Sequence, residues 1–365
     1  MKKFKFARYD VLRLLGFTPI ATVQDKELWD HFLTPQVKAL IGPITKLGEP
    51  QLLETVKGLF PGHDASNLNQ HELYAGKKDF VRFPYVSTLH LTEHGAFVID
   101  RDAVKVKVEA WVGDVLSGKG EMIFLAALKD RRFDGTRRAN DSGLLQYTYE
   151  DPKYHRRLHD ELQTVEISIY SFVPGSSIYE TTKNADLEKF FRKPFLFINK
   201  PERFKELFDY AWHKTNRAPG QFAAPIKDVS KRVLEGFEHV ARSKGYDAIE
   251  SATSHYHVAL WFKSRGYRFT YKCDVETMDQ FADGIKRVRE EQAAKGIKLT
   301  RQQESWICVV QSLRPVELIP EGLYLNGPLW PQDNVTPPLL WMNTPLTEKA
   351  AALVSEPIDH CATKR

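Results

Sequence analysis

The side chains best suited to acid–base chemistry lie on a predicted strand near the middle of the chain. Three apolar residues, Val165, Ile167 and Ile169, alternate with three polar ones, Glu166, Ser168 and Tyr170. Because strand side chains alternate between two faces, the polar three share one face. A carboxylate held there can take a proton from a reacting group, directly or through water. The pattern also fits Glu166 as an ordinary solvated strand residue, and alternation alone favours that interpretation.

A second candidate is the segment 129–157, where basic and aromatic side chains are interleaved. The basic residues are Lys129, Arg131, Arg132, Arg137, Arg138, Lys153, Arg156 and Arg157. The aromatic residues are Phe133, Tyr147, Tyr149 and Tyr154. Cations neutralise phosphates and aromatic rings stack on bases, so this mixture is typical of nucleic-acid-binding surfaces. Five acidic residues dilute it, and a solvated loop fits the same composition.

Histidine pairs give only weak indications of metal ligands. His155 and His159 are four residues apart and can share a helix face, but no third ligand is spaced with them. His255 and His257 alternate as ligands on a strand do, yet a helix is predicted to begin there, which favours capping or packing. We therefore predict no metal.

Composition limits the class of protein. The chain has 365 residues, of which 42% are hydrophobic, enough apolar surface to favour folding over disorder. The formal charge of +5 comes from 52 basic and 47 acidic residues, so the surface is mixed and net charge favours no partner.

Cysteine spacing and hydropathy predict the cellular compartment of the protein. Cys273, Cys308 and Cys361 have no paired spacing, so neither a disulfide framework nor a CxxC zinc site is expected. The first ten residues contain no apolar core of a signal peptide, and the apolar run 122–128 is too short to span a bilayer. These features predict a cytoplasmic protein without a membrane partner.

Periodicity predicts a helical cap followed by a meander of strands. Apolar residues recur at helical spacing in the first eighty residues, at Leu28, Phe32, Val37, Leu40, Leu52, Leu53, Val56 and Leu59. From Ser87 the period becomes two, with turns at 93–95 and 100–102. The pattern predicts an antiparallel sheet with one solvent-exposed face.

The second half of the chain alternates between helical and strand patterns. Helices are predicted at 185–192 and 201–214, in an amphipathic segment that ends at Gly245, at 256–265, and after a cap at Asp274. Strands are predicted at 165–172, 195–198, 247–253 and 267–273. Seven of the twenty prolines lie in 315–345 with Trp330 and Trp341, which indicates an extended segment.

Residues 255–267 read HYHVALWFKSRGY, after a helix closed by Gly245 and a strand, and before another strand. This stretch resembles the GNAT acyltransferase superfamily, whose short helix follows N-x-x-A-x-x-[LF]-Y-x-x-x-G-[FY]. The resemblance covers roughly residues 165–273. It implies a sheet against which acyl-CoA lies, with its pyrophosphate at a helix N-terminus, where free amides meet the anion.

The resemblance also implies roles for particular residues. Acetyl-CoA or another acyl-CoA would be the co-substrate and an amine, small or macromolecular, the acceptor. The phosphate loop would lie at 225–230 or slightly earlier, so the predicted cofactor-binding residues are Arg217, Lys227, Ser230 and Lys231. The family's general-acid tyrosine corresponds to Phe262, so Tyr256, Tyr271 or water would protonate the leaving thiolate. Glu166 would be the base, and the predicted catalytic residues are Glu166, Tyr170 and Tyr271.

The sequence thus predicts an α+β protein with a mixed, largely antiparallel sheet of GNAT-like type. Its predicted domains are an N-terminal helical cap (1–80), a catalytic domain (81–313) and a Pro-rich extended tail (314–365). The predicted function is acyl-CoA-dependent N-acylation of an amine. One alternative is a non-enzymatic accessory protein that binds nucleic acid through 129–157. Another is a GNAT-like fold that binds something else.

Overall fold

The structure is a computed structural model of the chain. It describes residues 19–33, 51–53, 59–63, 72–75, 79–82, 86–92, 94–101, 105–131, 136–139, 145–148, 158, 162–226, 229–326 and 339–359.

The strands, in chain order, are β1 (Gln51–Leu53), β2 (Glu72–Ala75), β3 (Asp79–Arg82), β4 (Val86–Thr92), β5 (Gly95–Arg101), β6 (Lys105–Val112), β7 (Glu121–Asp130), β8 (Thr136–Ala139), β9 (Leu145–Thr148), β10 (Thr164–Ser171), β11 (Ala248–Thr253), β12 (Arg268–Phe269) and β13 (Leu340–Pro345). The α-helices are α1 (Asp25–Leu28), α2 (Ile178–Thr182), α3 (Ala185–Arg192), α4 (Pro201–Lys214), α5 (Val229–Ser243), α6 (Tyr256–Lys263), α7 (Lys272–Ala294), α8 (Arg301–Val310) and α9 (Glu348–Leu353). Short 3₁₀ segments lie at Pro19–Thr22, Pro194–Phe197 and Val316–Leu318, and a π turn at Trp29–Leu33.

The chain forms two units, each built from separate stretches. The first unit contains Met1–Pro174, Ile226–Glu250 and Pro345–Leu353, and the second contains Gly175–Pro225, Ser251–Thr344 and Val354–Arg365. The predicted domain boundaries at 80 and 313 stay predictions.

The first unit is organised around one sheet. Its strand order is β1-β4-β5-β6-β7-β10-β11, and every neighbouring pair is antiparallel except β10 and β11. A smaller sheet has the order β3-β2-β8-β9. The prediction of an α+β fold with a largely antiparallel sheet is confirmed, while its GNAT-like type stays a prediction.

Strand β10 has a different partner on each side. It pairs with β7 along its length, from Val165 opposite Asp130 to Ser171 opposite Phe124. Its parallel pairing with β11 covers only three residues, from Thr164 opposite Ala248 to Glu166 opposite Glu250. The last five residues of β10 therefore have no strand paired on that side within the described part of the first unit.

Helix α5 precedes β11 and packs through an apolar stripe, as predicted. Val233, Phe237 and Val240 are fully buried. The helix is closed by Gly245 at φ 74°, and Tyr246 N–H donates to the Ala241 carbonyl, the arrangement typical of a glycine-terminated helix. The Tyr246 hydroxyl then donates to buried Asp130 at 2.7 Å. This bond ties the end of the helix to β7.

The N-terminal segment is attached to the same sheet. The Arg101 guanidinium donates to the Val23 carbonyl and to the Asp25 carboxylate. Trp29 packs edge-to-face on Phe97, with ring centroids 5.2 Å apart. These contacts use the face of β5 opposite to the one that carries Asp100.

Aromatic side chains fill the core of the second unit. Trp306 of α8 is completely buried between Phe190 and Phe191, with centroids at 5.2 and 5.3 Å. Its indole N–H donates to the Arg217 carbonyl at 2.7 Å. Strands β12 and β13 pair antiparallel in this unit.

Several local predictions were wrong. The apolar run at 195–198 is not a strand but lies largely in the 3₁₀ segment Pro194–Phe197, because Pro194 at its first position favours a helical turn. The predicted strand 267–273 is reduced to Arg268–Phe269, and α7 begins at Lys272. Tyr271, not Asp274, occupies the N-cap position. Residues 51–53, predicted as helical, form a strand paired with β4.

The prediction that one face of the meander is exposed to solvent was also wrong. Lys107, Glu109 and Trp111 alternate with apolar residues as predicted, but they are 3%, 3% and 7% exposed. Alternation shows that two faces differ in polarity. It does not show that the polar face meets water, and here that face is buried.

We predict that Gly95→Ala disrupts the pairing of β5 with β6. A Cβ at Gly95 would lie 1.9 Å from the backbone oxygen of Trp111, so strands β5 and β6 would have to separate locally. The expected loss is about 3 kcal/mol or more in the free energy of unfolding, measured by thermal or urea denaturation.

Gly62→Ala is the matched control in the same unit. Its Cβ would meet only the Trp111 ring at 3.7 Å, so the cost is confined to the left-handed backbone at φ 92°, about 1–2 kcal/mol. Equal losses in the two variants would contradict the steric argument.

Candidate functional site

Charged and polar residues from neighbouring strands of the first unit share one face of its sheet. The register places Ser87 opposite Asp100, Asp100 opposite Lys107, and Glu166 opposite both Lys129 and Glu250. Because side chains alternate along strands, these positions lie on the same side. We call this surface the charged face, and its residues are Ser87, Asp100, Lys107, Glu109, Lys129, Glu166 and Glu250.

One end of the charged face is a buried network centred on Asp100. The Ser87 hydroxyl donates to Asp100 Oδ1 at 2.5 Å. Asp100 Oδ2 lies 2.9 Å from His63 Nε2 and 3.0 Å from Lys107 Nζ. The side chains of both Asp100 and His63 are 0% exposed, so these contacts replace water completely.

Lys107 extends the network to a second carboxylate. Its Nζ lies 2.8 Å from Glu109 Oε1, and the Trp111 indole N–H donates to Glu109 Oε2 at 2.9 Å. The side chains of Lys107 and Glu109 are 3% and 4% exposed. The ammonium therefore holds two buried carboxylates at once, which is the condition under which buried charges are tolerated.

The pKa shifts in the network follow from burial and charge. Burial alone would raise the pKa of Asp100, but the bond from His63 and the charge of Lys107 bring it below its ordinary value. Burial would lower the pKa of Lys107, but the charges of Glu109 and Asp100 raise it above its ordinary value. Both groups are ionised at neutral pH.

His63, Asp100 and Glu109 also have the composition of a metal site, since their ligand atoms lie within 4.8 Å of one another. His63 Nδ1 accepts the Leu59 N–H at 3.0 Å. The ring proton is therefore on Nε2, the atom facing Asp100. A metal would have to displace this proton and the Lys107 ammonium, so these residues do not form a ready metal centre.

The other end of the charged face contains Arg131 between two carboxylates. Arg131 Nη1 donates to Glu166 Oε2 at 3.3 Å, and its Nε lies 3.8 Å from Glu250 Oε2. Arg131 and Glu250 are buried, but the Glu166 side chain is 24% exposed. We call these three residues the Arg131 cluster. Glu166 is its member with access to solvent.

Tyr170 lies on the same face of β10 as Glu166 and Ser168, two residues beyond Ser168. It is 53% exposed, and its ring lies nearly parallel to that of Phe172 with centroids 6.4 Å apart. Partial burial and the nearby charge of Glu166 raise the pKa of the Tyr170 hydroxyl, so the phenol is neutral at physiological pH. The face thus presents a carboxylate and a neutral phenol four residues apart on one strand.

The predicted site residues fall in both units. Glu166 and Tyr170 share one face of β10 in the first unit. Lys231 belongs to the same unit, in the first turn of α5, and is 61% exposed. Tyr271 and Arg217 belong to the second unit. Tyr271 is 1% exposed, and the Arg217 guanidinium donates to the Phe222 carbonyl at 3.1 Å.

Two further predictions, Lys227 and the side chain of Ser230, lie outside the described residues. The cofactor-binding and catalytic roles of all these residues stay predictions. In the loop that carries Arg217, the amides of Ala218 and Gly220 donate to the Gln221 side chain and the Phe191 carbonyl. A phosphate in that loop would need other donors.

The sequence interpretation missed the buried network. Asp100 was placed in a turn, whereas it lies inside β5. His63 carries no local signal, because its partner is 37 residues away. The one available signal was the alternation of Lys107 and Glu109 with valines, which places both charges on one side of a strand.

The basic segment 129–157 loses one of its predicted phosphate contacts. Arg131 is 2% exposed and bound to carboxylates, so it cannot present its guanidinium to a nucleic acid. The backbone of Arg137 and Arg138 lies in β8. Arg132, Lys153, Arg156 and Arg157, with His155 and His159, lie outside the described residues.

Comparisons with known proteins do not assign a family. No protein-family model, no curated protein and no solved structure matches this chain. Among the helices that the structure describes, none combines the length and apolar character needed to cross a bilayer.

We predict that Lys107→Met strongly destabilises the protein at neutral pH, because it leaves Asp100 and Glu109 as buried, uncompensated carboxylates. The expected loss is about 3–5 kcal/mol in the free energy of unfolding. Adding Glu109→Gln should recover part of it by removing one of those charges. Lys119→Met in an exposed loop is the control and should change little.

The loss of stability in Lys107→Met should depend on pH in a defined direction. The stability from Asp100, whose pKa is lowered in the folded state, is present above its ordinary pKa and lost as pH falls through the folded value. The stability from Lys107, whose pKa is raised, is present below its ordinary pKa and lost as pH rises through the folded value. The gap in melting temperature between wild type and Lys107→Met should therefore shrink below about pH 4. A gap that stays constant down to pH 3 would contradict this assignment.

Proposed function

We propose that the protein is an acyl-CoA-dependent N-acyltransferase and that its reaction takes place along β10 of the first unit. The observation that carries the proposal is the three-residue parallel pairing of β10 with β11, which ends at Glu166 and Glu250. Beyond this pairing, β10 continues to Ser171, and the solvent-accessible carboxylate of Glu166 lies where that stretch begins.

The strand edge suits an extended ligand that carries amides. An edge without a paired strand offers backbone N–H and C=O groups, and a partner can bind by adding itself to the sheet. The pantetheine arm of CoA contains two amide groups and is long and narrow. It can therefore pair with residues 167–171 as a short strand would.

The start of α5 suits the phosphates. A helix N-terminus has unpaired amides and a partial positive charge, which favour an anion. Lys231 adds a cation in the first turn. The Ile226 N–H donates to the Ser171 hydroxyl at 3.3 Å, so the segment leading into α5 is held at the end of β10. In this proposal, the β10 edge and the phosphate site at α5 form one continuous binding path for CoA.

Glu166 suits the role of general base. Arg131 fixes one of its oxygens, while the side chain keeps access to solvent. In the reaction, the amine nitrogen attacks the thioester carbonyl carbon and the carbon–sulfur bond breaks. The proton from the amine goes to Glu166, directly or through water, and the thiolate takes a proton from water or a tyrosine.

We predict that Glu166→Gln lowers turnover about a hundredfold or more while CoA affinity and melting temperature change little, because Gln keeps the hydrogen bond from Arg131 but cannot accept the proton. Release of the CoA thiol from acetyl-CoA, measured with a set of primary amines, checks this. Glu202→Gln in the exposed first turn of α4 is the control. Full turnover in Glu166→Gln would refute Glu166 as the base.

We predict that CoA stabilises the protein. Saturation at a hundred times the dissociation constant should add about 2.7 kcal/mol to the free energy of unfolding. Lys231→Glu should weaken binding by placing a negative charge at the phosphate site, whereas Lys26→Glu, near the opposite end of α5, should not. Calorimetric titration with acetyl-CoA and CoA provides the measurement.

The absence of heat with either ligand would refute the acyltransferase proposal. Salt-sensitive retention on nucleic acid in that same preparation would instead support the accessory alternative, since phosphate contacts weaken steeply with added salt. The two results together separate the two classes of function.

A further inference from the structure

A pocket of about 350 Å³ lies within the second unit, between α2, α3 and the Pro194–Phe197 turn. Its size is at the lower end of the range for small-molecule sites, about 300–1,000 Å³. All of its lining residues lie between 179 and 196, so it shares no residue with the β10 site and does not depend on the proposed function.

The walls of the pocket are held in place by Glu188. Its Oε2 accepts the Tyr179 N–H at 2.8 Å, and its Oε1 accepts from Arg192 Nε and Nη2 at 3.1 and 2.9 Å. The Arg192 guanidinium also lies over the Phe222 ring, 3.3 Å from its centroid. The backbone of Tyr179 and the guanidinium of Arg192 are therefore positioned without a ligand, which lowers the entropy lost on binding.

The pocket has a net positive charge. Arg192 compensates the carboxylate of Glu188. Lys189 and Lys193, four residues apart at the end of α3, make no ion pair with any residue that the structure describes. The helix C-terminus contributes only about half a negative charge. An excess of more than one positive charge remains.

The pocket also exposes apolar surface. Tyr179 is 44% exposed and Leu196 is 42% exposed. A planar ring can stack on the tyrosine face while an adjoining anion contacts the lysines. Two ammonium groups match a dianion better than a singly charged carboxylate, which would leave one cation uncompensated.

We propose that this pocket binds an organic phosphate with a planar ring, the chemistry of a nucleoside monophosphate. Lys189 and Lys193 contact the phosphate, and the ring lies against Tyr179 and Leu196. Glu188 and Arg192 hold the site in shape without contacting the phosphate directly.

Adenosine 5′-monophosphate is the probe, and calorimetric titration of the full chain is the measurement. We expect saturable binding that weakens at high salt, with at least tenfold weaker binding of adenosine and of inorganic phosphate, because each lacks half of the recognised chemistry. Saturable binding of inorganic phosphate as tight as that of the monophosphate would overturn the role of the ring.

Lys189→Gln/Lys193→Gln should weaken binding of the probe at least tenfold, whereas Lys205→Gln/Lys214→Gln, on exposed positions of α4, should not. Tyr179→Phe should retain binding and Tyr179→Ala should lose it. Lys231→Glu in the first unit should leave it unchanged, which distinguishes this pocket from the proposed CoA site. No binding at millimolar concentration, or equal affinity in the Lys189→Gln/Lys193→Gln variant, would overturn the proposal.

Discussion

The first unit depends on the contact of one ammonium group with two carboxylates where water is excluded. Lys107 connects Asp100 of β5 to Glu109 of its own strand, while Ser87 of β4 and His63 also bind Asp100. Three strands and the 59–63 turn are thereby fixed in one relative arrangement. Apolar side chains of similar volume would tolerate small displacements, whereas a displaced ion pair leaves buried charges unpaired. The network therefore favours one register of the sheet over others.

The Arg131 cluster pairs buried charges in the same way at the other end of the charged face, but one of its carboxylates keeps contact with solvent. Arg131 again serves two carboxylates, and Glu250 is completely buried. Glu166 keeps about a quarter of its side chain exposed. A carboxylate that is both fixed and accessible can exchange protons with a ligand, whereas Asp100 cannot. This contrast in exposure suits Glu166 to the proposed proton transfer and Asp100 to a structural role.

The sequence predicted helices and strands better than it predicted the burial of their side chains. Long patterns such as the stripe of α5, with Val233 and Phe237, and the alternation of β10 were sufficient to define a helix and a strand. The short apolar run at 195–198 was ambiguous, because four residues fit a strand or a turn equally well. Burial of Lys107 was not predictable, since its compensating carboxylate at Asp100 is brought close only by strand pairing. Burial that depends on such non-local pairs cannot be read from the local sequence.

The first unit is built from stretches that are far apart in the sequence, so the ribosome produces them at different times. Asp247 lies just before β11, and its backbone and side chain bind Leu346 and Thr347, about a hundred residues later. The Arg242 guanidinium also reaches the Leu346 carbonyl. During translation, the sheet up to β10 leaves the ribosome long before this last piece of the unit exists. The unit therefore spends much of its synthesis incomplete, a stage at which exposed strand edges favour chaperone binding or aggregation.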